Sequence, residues 1–416
     1  MIDSLAASHA KGKFATDRIF GASALANAAV AKYGLDNVVN TTVGVMLDEN
    51  EQMVCLPTVE KIYRNLPINE IITYAPIAGM PDFLEASIDL AFGEHRPEAY
   101  ATAVASAGGT GVIHHSIWNY TELGDTVLTS DWYWSPYQVM SEDALRKITT
   151  YKLLDEKNQF NTNSFSGKVN ELLQKQNNLL IILNTPAHNP TGYSLSSKEW
   201  DDLLGVLKEA AKNPDKNLIL LVDTAYLDFA GPRQEARFFM EKFSNLPKNI
   251  LVILAFSMSK SYTMYGQRTG SMIGISSNKE IAQEFADVSQ FTCRATWSNI
   301  NRACMNLLSI IHKDPALLAQ VDAERNGYYQ IIKERANVFV EESKEVGLEI
   351  FPYSAGFFLS IPTNKSEEIC EKLHDYNIYA VPLEAGVRLA PCATPVRKMK
   401  GIAAKIKQVM QELKNA

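Results

Sequence analysis

Between about residues 80 and 310 the chain alternates short, nearly pure apolar runs with amphipathic segments. The runs include DTVLTSD from residue 125, LLIILN from 179, NLILLVD from 217, NILVILAF from 249 and GSMIGIS from 270. Runs of this length without polar interruption suit strands buried on both faces. Between two of them, SSKEWDDLLGVLKEAAKN from residue 196 places its apolar residues at helical spacing, with Ser196 or Ser197 as N-cap. Strand and helix in alternation predict an α/β domain around a parallel sheet. After Pro315 the pattern changes. A long helical stretch, ALLAQVDAERNGYYQIIKERANVFVEESKEVG, leads into LEIFP, FFLSIP, IYAVPL and VRLAP, with further helical segments between and after them. That order predicts a smaller α+β domain joined by a long helix. We therefore expect an N-terminal arm contributing to the small domain over 1–53, a large domain over 54–315 and a small C-terminal domain over 316–416. No internal repeat or low-complexity linker interrupts this plan.

Composition narrows the function classes. The 416 residues carry 40 basic and 47 acidic side chains, a formal charge of -7, with no basic block. Nucleic acid and anionic membranes are not expected partners. The N-terminal MIDSLAASHAKGKF has no apolar core of signal-peptide length, and no stretch approaches the roughly 18 apolar residues of a membrane span. The five cysteines form no C-x-x-C pair and the seven histidines show no zinc-ligand spacing. A cytoplasmic protein without metal chemistry is the expectation.

Polar residues gather where predicted strands end. The run from residue 250, ILVILAFSMSKSYTMYGQRTG, passes from apolar strand into hydroxyl residues, then Lys260, then Arg268 eight positions later. Ligands of such sheets sit just beyond the carboxyl ends of the strands, and a lysine buried there loses basicity and can attack a carbonyl to form a Schiff base. Three further stretches stand at comparable places: SAGGTGVIHH from residue 106, NTPAHNPTGYS from 184, and LLVDTAYLDF, which carries Asp223 and Tyr226. Taken singly, the first two read equally well as turns and Asp223 as a helix cap. Taken together they meet the needs of an aromatic aldehyde bearing a phosphate. Gly109, Thr110, Ser257 and Arg268 supply amide, hydroxyl and guanidinium donors for the phosphate. Asp223 supplies a carboxylate for a pyridine nitrogen, Asn189 and Tyr226 face a phenolic oxygen, and Lys260 is the amine. Pyridoxal 5′-phosphate is the cofactor these groups suit.

At this point the chain resembles the fold-type I pyridoxal-phosphate aminotransferases of class I, and among them the aspartate/aromatic aminotransferase subgroup. The resemblance runs over nearly the whole chain: DRIFGA from residue 17, VNTTVGVMLDE from 39, ITYAPIAGM from 72, the GGTG turn, HNPTG from 188, DTAYLDF from 223, SMSKSYTMYGQRTG, and GVRLAP from 386. It implies a large domain with a mostly parallel seven-stranded sheet sandwiched by helices, a smaller α+β domain, and a homodimer with composite active sites. It also implies residue roles. Lys260 is the Schiff-base lysine and proton shuttle, Asp223 pairs with the pyridine nitrogen, and Asn189 and Tyr226 bond the phenolic oxygen. Trp132 stacks on the ring. Tyr74 reaches the phosphate of the neighbouring subunit. Arg388 clamps the substrate α-carboxylate, helped by the Gly44 N–H, and Arg294 crosses from the other subunit to a distal carboxylate. Two departures stand out: Ser135 and Asn184 occupy the places of the family's histidines behind the aspartate, and Ile300 and Asn301 replace its prolines after the Arg294 motif. The implied activity is ping-pong transfer of an amino group between aspartate or an aromatic amino acid and 2-oxoglutarate. A lyase or decarboxylase on the same fold is one rival, since fold does not fix reaction. A non-catalytic cofactor-binding regulator is another; it is expected to need an appended DNA-binding segment, for which there is no room before residue 17. A phosphate-binding NTPase read from GGTG alone lacks a Walker lysine.

Overall fold

The structure, a computed structural model, describes residues 5–13 and 18–415. Asp17, which opens DRIFGA, and the N-terminal MIDS lie outside the described residues. A short strand, β1 (Val39–Asn40), precedes a seven-stranded sheet made of β2 (Tyr100–Ser106), β3 (Thr126–Ser130), β4 (Lys147–Tyr151), β5 (Asn178–Asn184), β6 (Asn217–Asp223), β7 (Ile250–Ser257) and β8 (Gly270–Ser276). Their spatial order is β2-β8-β7-β6-β5-β3-β4. Consecutive residues of the inner strands alternate between two cores, as the two-residue period of a strand requires. Leu179, Ile181, Leu220, Val222, Val252 and Leu254 face one side, where Trp200, Leu203 and Leu207 of the helix Ser197–Ala210 cover them. Leu180, Ile182, Leu221, Ile253 and Ala255 face the other, under Val112, Ile113 and Ile117 of the helix Gly108–Tyr120 and Phe285 of the helix Lys279–Thr296. The helix Ser197–Ala210 is opened by Ser196, not Ser197. Its hydroxyl accepts from Glu199 N while the Glu199 carboxylate accepts from Ser196 N at 2.8 Å, a reciprocal cap.

Although β3 to β7 are mutually parallel where they pair, β8 runs antiparallel to both its neighbours, β2 and β7. Gly270, its first residue, pairs with Ser106 on one side and Ser257 on the other. A Cβ at Gly270 would lie 2.4 Å from Phe256 O and 3.1 Å from Gly108 C, so only glycine lets the two flanking chains approach. The reversal lets the chain leave β7 and re-enter the sheet at the same edge.

Beyond the 31-residue helix Pro315–Glu345 lie β9 (Leu359–Pro362), β10 (Ile378–Tyr379), β11 (Val381–Pro382) and β12 (Gly386–Leu389). β12 pairs antiparallel with β11 and β9, while β10 pairs in parallel with β1, tying the start of the chain to its C-terminal part. A separate core of Ala336, Phe339, Leu359, Ile361, Val387, Leu389, Ile402 and Ile406 holds this unit together. The long helix is joined to the large sheet by buried charge. Asp228 Oδ1 accepts from Arg237 Nη2 at 2.5 Å and Oδ2 from Arg325 Nη1 at 3.1 Å, and the same Arg325 nitrogen donates to Ser261 O at 3.1 Å. Burial alone would push the Asp228 carboxyl up, but the two guanidinium groups outweigh it and hold it well below the usual range.

Removing one member of this cluster strands the others in low dielectric. Asp228→Ala is therefore expected to lower the unfolding free energy by about 3–5 kcal/mol, read from the guanidinium chloride midpoint at constant slope. A loss below about 1 kcal/mol, the scale of a surface ion pair, would show the cluster to be solvated.

Candidate active site

At the carboxyl edge of the sheet, the ends of β5, β6 and β7 and the start of the helix Gly108–Tyr120 enclose a cavity of about 240 Å³. Ten sequence-predicted residues converge on it: Gly44, Gly109, Thr110, Asn189, Asp223, Tyr226, Ser257, Lys260, Arg268 and Arg388. β7 ends at Ser257, whose hydroxyl accepts from Ser259 N at 3.2 Å and so starts the single helical turn Met258–Ser261. That turn delivers Lys260 Nζ to 5.6 Å from the Tyr226 ring centroid. Burial lowers the basicity of Lys260, the Arg268 charge adds to the effect, and the Asp223 carboxylate opposes it.

Asp223 is the last residue of β6 and is buried. Tyr137 Oη donates to its Oδ2 at 2.6 Å and Ala225 N to its Oδ1 at 3.2 Å. Burial raises the Asp223 pKa; these two hydrogen bonds and the Lys260 charge work against the rise. Asn184 ends β5 in register with Asp223. Its Nδ2 donates to Asp223 O at 2.8 Å and its Oδ1 accepts from Asn189 N at 2.6 Å, so it staples the HNPTG turn to the end of β6. Asn189 Nδ2 in turn donates to Tyr226 Oη at 3.3 Å, and its Oδ1 accepts from Arg388 Nη1 at 3.4 Å. Arg388, on β12, also donates to Thr42 O at 3.0 Å, and its guanidinium lies 4.2 Å from the Phe358 ring centroid. The backbone at Gly44 passes so close to that ring that a Cβ would sit 2.9 Å from Phe358 Cζ.

The opposite end of the cavity is built to receive an anion. The first N–H groups of the helix Gly108–Tyr120 have no intrahelical acceptor, and the helix dipole adds positive potential there. Arg268 adopts left-handed backbone angles, φ 50° and ψ 52°. Its Nη1 donates to Ser259 Oγ at 3.2 Å and Tyr265 O at 2.9 Å, and Nη2 to Thr110 Oγ1 at 3.4 Å. A Cβ on Gly108, where φ is +68°, would lie 2.9 Å from Arg268 Nη2. The cradle is thus bare backbone, hydroxyls and a guanidinium at one end, a buried carboxylate at the other, and an amine between. That donor set fits a flat cation-forming heterocycle carrying an aldehyde and a phosphate.

The structure separates some predicted residues from this site. Trp132 does not line the cavity. It is 7% exposed, 5.0 Å from the Phe351 ring, and its ring edge would lie 2.7 Å from a Cβ on Gly386, so it packs between the sheet and β12. The ring at the cavity is Trp134, two residues on. Ser135 is likewise displaced: it is exposed, and the side chain that reaches Asp223 is Tyr137, on the helix Pro136–Asp143 that the same stretch opens. Pro136 marks the start of that helix but not the direction in which Tyr137 points. Tyr74, 86% exposed, and Arg294, exposed and bonded to Ser298 Oγ, lie away from the cavity of their own chain. Asn301 caps the helix Arg302–Lys313 by accepting from Cys304 N at 3.1 Å. Ile19, Ile113 and Phe358 also line the cavity, apolar walls that no polar motif announces.

Residues 36–406 match the family described as aminotransferase class I and II. The chain is similar to the solved structure of an aminotransferase from Anaerococcus prevotii, with 37% identity over 97% of this chain and 99% of that one and a TM-score of 0.95. It is 26% identical over 291 residues to the cytoplasmic aspartate aminotransferase of Dictyostelium discoideum, a match spanning 68% of this chain and 63% of that protein's length. An aromatic amino acid aminotransferase from Burkholderia cenocepacia shares the fold at 21% identity, with a TM-score of 0.80 over 97% of this chain and 98% of that one. With the cradle for an aldehyde phosphate and a match over residues 36–406, the chain belongs to the class I and II aminotransferases, a family that works with pyridoxal 5′-phosphate.

Proposed function

We propose that this chain is a transaminase that moves the amino group of aspartate or an aromatic amino acid to 2-oxoglutarate by a ping-pong route, as a homodimer in the cytoplasm. The observation that carries the reading is the convergence of Lys260, Asp223 and Arg388 on one cavity with an anion cradle at its end. The names of the Dictyostelium and Burkholderia proteins support the two substrate classes, and the former supports the location.

When bound, pyridoxal phosphate supplies a carbonyl for the amino group and an electron sink for the charge released at the substrate's Cα. Gly109, Thr110, Ser257 and Arg268 would hold its phosphate, with Trp134 as the aromatic side chain for its ring. Asp223 would keep the ring nitrogen protonated. Asn189 and Tyr226 would donate to the ring oxygen. Arg388 takes the substrate α-carboxylate in its fork, with the Gly44 N–H beside it, and thereby aims the Cα–H bond at Lys260. Lys260 Nζ, rendered less basic by burial, is the group that would take up and hold the Cα proton. Phe358, Ile113 and Ile19 narrow the cavity around the reacting atoms and limit the entry of water. Tyr74 and Arg294, exposed on their own chain, serve the site of a second copy, Tyr74 at the phosphate and Arg294 at a distal carboxylate. A lyase or decarboxylase would leave Arg294 without that purpose.

With the cofactor bound, a panel of amino acids tested for oxo-acid release should show aspartate or an aromatic amino acid converted fastest. Lys260→Ala should lose about a thousandfold in rate, within the range for removing a general base, while still retaining cofactor. Near-parental turnover in that variant would refute the assignment. For the composite site, inactive Tyr74→Ala and inactive Lys260→Ala subunits should regain part of the activity when exchanged into hybrid dimers; proven exchange without recovery would mean each site is built from one chain. The lowered basicity of Lys260 carries a sign. Its folded pKa lies below the ordinary 10.5, so between those values the unfolded chain binds a proton that the folded chain does not, and apoprotein stability rises with pH. The unfolding free energy of the parent minus that of Lys260→Met should therefore climb as the pH rises towards the ordinary lysine value of 10.5, and a flat difference would show a solvated amine.

A further inference from the structure

Tyr137 was not among the residues that the sequence pointed to, yet it makes a short contact with the central acid of the site. It is wholly buried and donates to Asp223 Oδ2 at 2.6 Å. Among the described residues no other side chain is seen to hydrogen-bond that carboxylate; Asn184 reaches the backbone carbonyl of Asp223 instead. The phenol ring is fixed from several sides. Trp134 meets it edge-on at 5.6 Å and 90°, Tyr133 stacks at 6.5 Å, and Tyr137 N donates to Trp134 O at 2.9 Å. One turn therefore delivers both the ring that covers the cofactor and the hydroxyl that grips the acid.

We infer that Tyr137 is a positioning residue for the reaction: its hydroxyl holds Asp223 as a carboxylate in one orientation, so that the shared proton stays on the ring nitrogen of the cofactor. The inference rests on the reading of Asp223 as the partner of that nitrogen. A desolvated carboxylate tends to take up a proton. If Asp223 kept it, the ring nitrogen would be neutral and the electron sink would weaken. A donor on Oδ2 and the Ala225 N–H on Oδ1 satisfy part of the carboxylate and lower its proton affinity, leaving lone pairs on both oxygens for the ring N–H. The titratable groups facing Asp223 are Tyr137, Tyr226 and Lys260. Burial and the neighbouring Asp223 charge push the Tyr137 phenol well above its ordinary value, so it can only donate over the working pH range.

The test is the protonation of the ring nitrogen, followed by solid-state NMR on holoenzyme loaded with pyridoxal phosphate isotope-labelled at that atom, as a function of pH. Asp223→Ala is the reference for a ring without its acid. In Tyr137→Phe, which keeps the packed ring, the ratio of proton on the ring nitrogen to proton on Asp223 should fall by about tenfold, the change expected from a single charge-assisted hydrogen bond. Turnover should fall by about tenfold with substrate KM little changed. Replacing Tyr137 by a fluorinated tyrosine, a more acidic donor, should raise that ratio. A Tyr137→Phe ratio equal to the parent's would overturn the inference and leave Tyr137 a packing residue. If Asp223→Ala leaves the parental midpoint of ring-nitrogen protonation unmoved, the reading of Asp223 itself fails and the inference falls with it.

Discussion

A carboxylate withdrawn from water at the end of a central strand is the constraint around which this site is organised. Asp223 could be solvated only by what the fold brings to it, and each neighbour answers that need: the Tyr137 hydroxyl, the Ala225 amide and the charge of Lys260. Asn184, the residue beside it on β5, is then free to hold the backbone and anchor the HNPTG turn rather than serve the carboxylate. Through Asn189 the same chain of contacts extends to Tyr226 and to Arg388 on the small unit. Asp223, Asn184, Asn189, Tyr226 and Arg388 thus form one hydrogen-bonded series. A disturbance at any member reaches the others, which is why single truncations in such a series do not add.

Support from below has the same logic. Arg325 reaches from the long helix to the carbonyl of Ser261, the residue after Lys260, while Asp228, two residues after Tyr226, holds that guanidinium in place. The lysine turn and the tyrosine are therefore set by one buried ion cluster at the junction of the long helix with the large sheet. Ion pairs of this kind add little net stability over apolar packing. What this one supplies is a fixed position for Lys260, on a short turn, and for Tyr226, just beyond the end of β6.

Much of this was legible in the sequence because both features it relies on are local. Buried inner strands announce themselves as unbroken apolar runs, and polar residues at their ends stand out against that background; Lys260, Asp223, Asn189 and Ser257 were found in this way. The outer strands β2 and β4 were not. YATAVAS and KITTY are only partly buried, so their patterns are diluted. The direction of β8 was hidden as well, because GSMIGIS reads alike whichever way it runs, and only the short connection from β7 hints at a reversal. Side-chain direction after a turn is the least legible feature. In SDWYWSPY the choice between Trp132 and Trp134, and between Ser135 and Tyr137, depends on a few backbone angles that the residue types do not encode. Asn301 shows the same limit, since a departure from the family pattern proved to be a helix cap.

The reversal at β8 makes the connection between β7 and β8 a rigid gauge. Both its ends are pinned to one sheet edge, Met258 N donates to Thr269 O at 3.0 Å, and Met264 N donates back to Met258 O at 3.3 Å. The span from Lys260 to Arg268 therefore has almost no slack. On the proposed reading, a ligand held by its carbonyl at Lys260 and by its anionic tail at Arg268 is measured for length by the backbone itself. A molecule one methylene too long or too short must release one jaw, however well it suits the remaining contacts. Insertion of a residue within this segment would recalibrate the gauge, so the surface of this loop offers no room for the length variation that exposed connections normally tolerate.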